Sequence, residues 1–204
     1  MSEPKAQDVR VVEKKPLSNG FFKLDAYVLR VPHYDGTLGE PICREVADRG
    51  DAAGVLLFDP DADALVFVEQ FRPGTFIAKA EPWMLECVAG IIEPGETGES
   101  VVTREAMEEA GCTVSDVMPI ASYYSSPGGM TERIDLFCGR VDSSCHADIA
   151  GLAGEGEDIR VRVLSSDEVI RKTLAGEINN ALTLIACQWF VMNKENLLKK
   201  WGKK

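Results

Sequence analysis

The order of apolar patterns predicts an α/β protein, and three observations carry that expectation. Five strand-like runs occupy residues 21–89. A helical period then replaces them over 97–110, before three further strand-like runs and two closing helices. The chain has 204 residues, 45% hydrophobic and 27% charged, which is ordinary globular composition and enough to bury roughly 70% of the unfolded surface without disulfides or structural metals.

The elements follow in order. Residues 21–31 alternate apolar and polar side chains and read as a strand, with 42–46 a second. Residues 52–58 and 64–71 are strands hinged by the turn-rich DPDAD at 59–63. Residues 83–89 form a further apolar strand ending at Gly90. The helix at 97–110 stops at Gly111, a residue suited to a helix C-terminus. Strands at 117–124, 133–141 and 159–164 lead to helices around 166–175 and 179–199, the last ending in a lysine-rich turn that suits the negative end of a helix.

Charge and composition exclude several function classes. Lys and Arg total 22 against 33 Asp and Glu, a net charge of −11, opposite to that of a protein that reads nucleic-acid phosphates. An acidic enzyme still acts on an anionic substrate when metal cations stand between its carboxylates and the phosphates. The N-terminal MSEPKAQDVRVVEKK lacks the apolar core of a signal peptide. The longest apolar window, 181–192, is too short and too polar to span a membrane. The six cysteines form no CxxC pair and mostly lie in apolar runs, as small core residues in a reducing cytoplasm.

The informative stretch is GIIEPGETGESVVTREAMEEAGC, residues 90–112. At about 100° per residue from Val101, Glu105, Glu108 and Glu109 fall at about 40°, 340° and 80°, opposite Val102, Ala106, Met107 and Ala110. Like charges one turn apart repel by a few tenths of a kcal/mol, and Arg104, four residues before Glu108, relieves part of that. Taken alone, such a helix reads as a solvated acidic face. The EPGE turn, however, brings Glu93 and Glu96 towards the start of the same helix, and converging carboxylates are what a hard, oxygen-seeking Mg²⁺ requires.

The spacing of Gly90, Glu96, Arg104, Glu105, Glu108, Glu109 and Gly111 resembles the Nudix box at every glycine, glutamate and arginine position, with Ala106 and Cys112 where a bulkier aliphatic is usual. The resemblance implies the α/β/α Nudix sandwich with a mixed central sheet, a divalent metal, and hydrolysis of a diphosphate linked to another moiety. Pro127, fifteen residues past Cys112, resembles the marker of the ADP-ribose pyrophosphatase branch. GFFKLDAY, REVADRG, EQFR, EPWMLECVAGIIEPGE, SPGGMTER, GLAGEGEDIRV and EINNALTLIACQWF are similar to bacterial members of that branch, which includes relatives labelled tellurite-resistance proteins, over nearly the whole chain.

Position by position, the family pattern implies that the Ala89 carbonyl and the carboxylates of Glu105, Glu109 and Glu157 are the metal ligands, for Mg²⁺ or Mn²⁺. Glu155, in the loop GLAGEGED, falls on the proton acceptor for the attacking water. Phe21 and Phe22 fall where the family packs an adenine; as neighbours in a strand they point to opposite faces, so at least one is expected in the core. Arg44, Arg49 and Arg72 offer guanidinium forks to a diphosphate, and Glu45 is placed to bond the base or ribose. Ser126, Pro127, Gly128 and Glu132 line the terminal ribose, and Ile91 adds a backbone contact. The family also implies a homodimer in which an N-terminal antiparallel strand segment, residues 1–50, is exchanged between subunits, beside a Nudix domain at 51–204. The leading expectation is hydrolysis of ADP-ribose to AMP and ribose 5-phosphate. Another nucleoside diphosphate sugar such as GDP-mannose, or a non-catalytic ADP-ribose sensor, are the alternatives.

Overall fold

A computed structural model describes residues 3–152, 154 and 156–202. The chain forms two compact units, Met1–Asp51 with Tyr124–Arg133, and Ala52–Tyr123 with Ile134–Lys204.

The first unit is a three-stranded antiparallel sheet of β1 (Arg10–Asn19), β2 (Lys23–Arg30) and β3 (Ile42–Asp48), with β2 in the centre. β1 has no counterpart in the sequence expectation, because RVVEKKPLSN does not alternate. Its pairing with β2 slips at Val11/Glu13 and Pro16/Ser18, the latter beside a proline that cannot donate to the ladder. The strand expected at 21–31 begins only at Lys23. Phe21 and Phe22 therefore lie in the connection between β1 and β2, and the opposite-face rule does not reach them. Both are exposed, 70% and 46%, with their rings edge to face at 5.3 Å. The expectation that one of them is core is thus corrected. Within the same unit the segment 124–133 is tied to β3: Ala47 N donates to Gly129 O at 2.8 Å and Thr131 N donates to Ala47 O at 3.1 Å.

The second unit holds β4 (Ala52–Asp59), β5 (Ala64–Phe71), α1 (Pro73–Ile77), β6 (Trp83–Glu86), β7 (Val88–Ile91), α2 (Gly98–Ala110), β8 (Asp116–Tyr124), β9 (Arg133–Arg140), β10 (Ile149–Ala150), β11 (Ile159–Ser165), α3 (Ser166–Leu174) and α4 (Ala181–Trp201). The sheet runs β10-β11-β5-β4-β9-β8, with β6 added to β5 and β7 to β4. It is mixed: β4 and β9 are parallel, whereas β4 and β5 are antiparallel.

Alternation along the central strands builds the layers. Ala53, Val55 and Leu57 of β4 and Val66 and Val68 of β5 pack with Val101, Val102, Ala106 and Ala110 of α2. Their neighbours Leu56, Phe58, Leu65 and Phe67 pack on the other face with Val169 of α3 and Ala186, Cys187, Phe190 and Leu197 of α4. Each fully buried valine, leucine or phenylalanine among them contributes about 1.5–3 kcal/mol. The result is the expected α/β/α sandwich. Gly54 permits its tight packing, since a Cβ there would lie 2.8 Å from Leu182 Cδ1.

The single strand expected at 83–89 is two. Buried Cys87 donates its N–H to Thr183 Oγ1 at 2.9 Å, leaving the ladder, so that β6 serves β5 and β7 serves β4. The short α1 is also absent from the sequence expectation. Four cysteines are buried as expected, but Cys43 and Cys145 are exposed. Among the described residues no helix is long and apolar enough to cross a membrane.

Candidate active site

The site is built where β7 meets α2 in the second unit. The turn before α2 closes with Glu96 N donating to Glu93 O at 3.0 Å and Glu93 N donating to Glu96 Oε2 at 3.1 Å, around Gly95 at φ 95°. Thr97 caps the helix: its hydroxyl accepts from Ser100 N at 3.2 Å, while its own N–H donates to Ser100 Oγ at 2.9 Å. Gly111, left-handed at φ 68°, ends it.

On the polar face Arg104 gathers three carboxylates, reaching Glu96 Oε1 at 3.2 Å, Glu105 Oε1 at 2.8 Å and Glu108 Oε2 at 3.0 Å. Glu96 and Glu108 are engaged by the arginine, which holds Glu96 below the usual carboxylate range. Glu105, although also paired with Arg104, lies within the reach of Glu157's charge, as does Glu109. Glu109 is only 4% exposed. Burial first, then the charges of Glu105 and Glu157, push its carboxyl up to about 8, against the opposing pull of the Ala89 N–H and of Arg72. Its Oε2 accepts from Ala89 N at 3.3 Å. Half-buried Glu105 is likewise raised, by burial foremost and by Glu108 and Glu157, with Arg104 opposing. Glu157 Oε2 accepts from Leu152 N at 3.0 Å.

These residues suit a hard divalent cation. Among the described residues no three acidic, histidine or cysteine side chains close into a ligand cluster. Burial is the main cause that raises Glu105 and Glu109, and the charge of Glu157 adds to it at both; neighbouring anionic oxygen donors are the chemistry such ions seek. Gly90 provides the cradle: a Cβ there would sit 1.9 Å from Glu105 Oε1, so only glycine lets that carboxylate lie against β7, beside Ala89 and Ile91.

Arg72 follows β5 and donates through Nε to Glu86 Oε2 at 2.6 Å. Glu86, at the end of β6, is buried and is raised by burial, with Arg72 opposing. Neither Glu86 nor its second partner Asn180 was picked out from sequence. The available signal was a lone carboxylate inside the apolar run WMLECVA, where a charge needs a partner.

The remaining candidates lie in the first unit. Arg44 and Glu45 are exposed on β3, and the Arg44 guanidinium donates to Cys43 O at 2.8 Å. Arg49 forms an ion pair with Glu132, which is 4% exposed, so these two are mutual partners here. Ser126, Pro127 and Gly128 are exposed in a turn in which Ser126 O accepts from Met130 N at 2.9 Å. Glu155, expected as the base, lies outside the described residues.

The NUDIX domain family matches residues 48–183. The chain is a member of the Nudix family. This Nudix protein is similar to the ADP-ribose pyrophosphatase of Escherichia coli strain K12, 41% identical over 195 residues, which cover 96% of this chain and 93% of that one. It is 36% identical over 198 residues to the ADP-ribose pyrophosphatase of Haemophilus influenzae, with 96% and 91% covered. It is also 36% identical over 189 residues to the GDP-mannose pyrophosphatase of Pectobacterium atrosepticum, with 92% and 94% covered. Membership gives the Arg104 and Gly90 arrangement its meaning as the Nudix box in three dimensions.

Proposed function

We propose that this Nudix protein hydrolyses the diphosphate of ADP-ribose, giving AMP and ribose 5-phosphate. The observation that carries this reading is the pair of carboxylates Glu105 and Glu109 lying against β7, with the charge of Glu157 acting on both, in a chain similar over nearly its whole length to enzymes named for that substrate. The three carboxylates and the Ala89 carbonyl would hold the metal, for which Mg²⁺ is the first choice and Mn²⁺ the second. When bound, such a cation offsets the charge of the diphosphate and activates water for attack.

The chain's own side chains have distinct tasks. Glu155 accepts a proton from the attacking water. Arg72 meets diphosphate oxygens with its guanidinium fork, and Arg44 and Arg49 add charge of the same sign. Phe21 and Phe22 are exposed, as faces for an adenine must be, and base stacking on such a face contributes roughly 1–3 kcal/mol. Glu45 bonds the base or ribose. Ser126, Pro127, Gly128 and Glu132 meet the terminal ribose, and Ile91 supplies a backbone contact. Residues 1–50 act as a strand segment exchanged between two copies of the chain, the Nudix domain being 51–204. β1, exposed along its whole length with Val11, Val12 and Leu17 among its side chains, supports a homodimer, to be tested by light scattering. We assign the protein to the cytoplasm, with no nucleic-acid partner.

Steady-state kcat/KM for ADP-ribose, GDP-mannose and ADP-glucose tests the substrate, and preference for the guanine nucleotide would replace it. That second reading is favoured by the similarity to a GDP-mannose pyrophosphatase. Glu155→Gln is expected to abolish turnover and leave the melting temperature unchanged. Near wild-type kcat in that variant would move the base to Glu132 or Glu157. ADP-ribose binding without release of AMP in Mg²⁺ would make the protein a sensor.

A further inference from the structure

Arg72 is fixed at both ends. Its N–H donates to Pro82 O at 2.8 Å, and its carbonyl accepts from Thr75 Oγ1 at 2.8 Å and Phe76 N at 3.2 Å, at the start of α1. At the other end its Nε is taken by Glu86 Oε2 at 2.6 Å. Among the described residues neither terminal nitrogen of Arg72 has an acceptor, so the open side of the fork is available to an anion.

Glu86 is itself clamped. Its Oε1 accepts from Asn180 Nδ2. The orientation of that amide is set because Asn180 Oδ1 accepts from Thr183 N at 3.0 Å, as the N-cap of α4. Thr183, fully buried, accepts in turn from Cys87 N through its hydroxyl. Asn180 thus does two jobs that no other common capping residue combines here. Serine would cap α4 without reaching Glu86, and aspartate would cap it while turning an anion on another anion.

As a stability device the arrangement is poor. An ion pair to a substantially exposed arginine contributes little, whereas burying the carboxylate is costly and raises its proton affinity. As a way of aiming a fork it is effective, since a guanidinium held side-on through Nε loses little further freedom when its terminal nitrogens bind phosphate. The Arg72 charge also acts on Glu109, which puts the aimed group in the field of the carboxylate site.

We propose that Glu86, held by Asn180, is a positioning residue that sets the Arg72 guanidinium for the substrate diphosphate. The proposal rests on Arg72 being a diphosphate ligand, so the test separates the two. Kinetics of Mg²⁺-dependent ADP-ribose hydrolysis and melting temperatures are measured for the wild type, Glu86→Gln, Arg72→Ala and the double variant, and for Asn180→Ser with and without Arg72→Ala. The expected result is a roughly 10- to 100-fold fall in kcat/KM for Glu86→Gln and a smaller fall in the same direction for Asn180→Ser. With Arg72→Ala already present, either change should have an effect of about twofold or less, because its route of action is gone. Equal losses in both backgrounds would overturn the proposal by making Glu86 merely structural. Loss in Arg72→Ala with none in Glu86→Gln would overturn the positioning role alone. If Arg72→Ala is fully active, the diphosphate assignment of Arg72 falls and this inference with it. Should Glu86→Gln fail to fold, the Asn180→Ser pair decides by the same criterion.

Discussion

Glu109 is the residue on which most of the local physics converges. Its carboxyl, raised to about 8 by burial and by the neighbouring charges, binds its proton more tightly in the folded chain than in the unfolded one. With a folded value above the ordinary one, the associated stability is full below about pH 4.5 and is lost as pH rises towards 8. The metal-free protein, kept in EDTA, is therefore expected to melt at lower temperature at pH 8 than at pH 5.5. Glu109→Gln should remove most of that difference while abolishing turnover in Mg²⁺. Thermal scans of both proteins at the two pH values check this, and an unchanged slope in the variant would mean that another group carries it. Gly90 gives a second expectation at the same scale. The atoms that a Cβ would meet all belong to the Glu105 side chain, Oε1 at 1.9 Å, Cδ at 2.4 Å and Cγ at 2.6 Å, so the whole side chain must turn away from Cγ outward, losing its contact with Arg104, while no backbone atom is pressed. Gly90→Ala should thus lower kcat/KM by on the order of 10²-fold with little change in melting temperature.

The elements differ in how they depend on local chemistry, and α2 is the one that the site cannot lose. Its first turn relies on the reciprocal bonds of Thr97 and Ser100. Thr97→Ala should cost about 1 kcal/mol, a fall of about 2–4 °C in a domain of this size, measurable by differential scanning calorimetry. α2 was legible in the sequence because its amphipathic period and its terminal glycine agree; that Thr97 caps the helix and does not begin it is seen only in the structure. The core strands were legible for the same reason: β4 and β5 are runs of apolar side chains that both helical layers cover. β1 was not, since its ten residues are exposed and carry no burial pattern to read. Nor was the break at Cys87, which depends on Thr183, 96 positions away. The same limit applies to the site. Spacing along one helix marks Glu105 and Glu109 and the pairing of Arg104 with Glu108, but that Arg104 also draws in Glu96, or that Glu86 meets Arg72 and Asn180, depends on side-chain directions and on contacts between distant segments.

For the whole molecule the net charge of −11 is the property that must be reconciled with an anionic substrate. Spread evenly it would be a modest repulsion, largely screened beyond about 8 Å at physiological ionic strength. It is not even: Glu105, Glu109 and Glu157 share a buried or half-buried region where screening is weak, and burial first, then neighbouring charges including that of Glu157, raise Glu105 and Glu109. A diphosphate entering that region without a cation would add like charge to like, so binding and turnover should both require a divalent ion. EDTA is expected to abolish hydrolysis of ADP-ribose, and added Mg²⁺ to restore it. The same ion should raise the melting temperature more at pH 8 than at pH 5.5, because it competes with the proton on Glu109 and binds the charged form that burial disfavours. This last comparison separates a bound metal from one that merely accompanies the nucleotide, since it is made without substrate. A Mg²⁺ effect equal at the two pH values would place the ion away from Glu109, and activity surviving chelation would remove the metal from the reaction altogether.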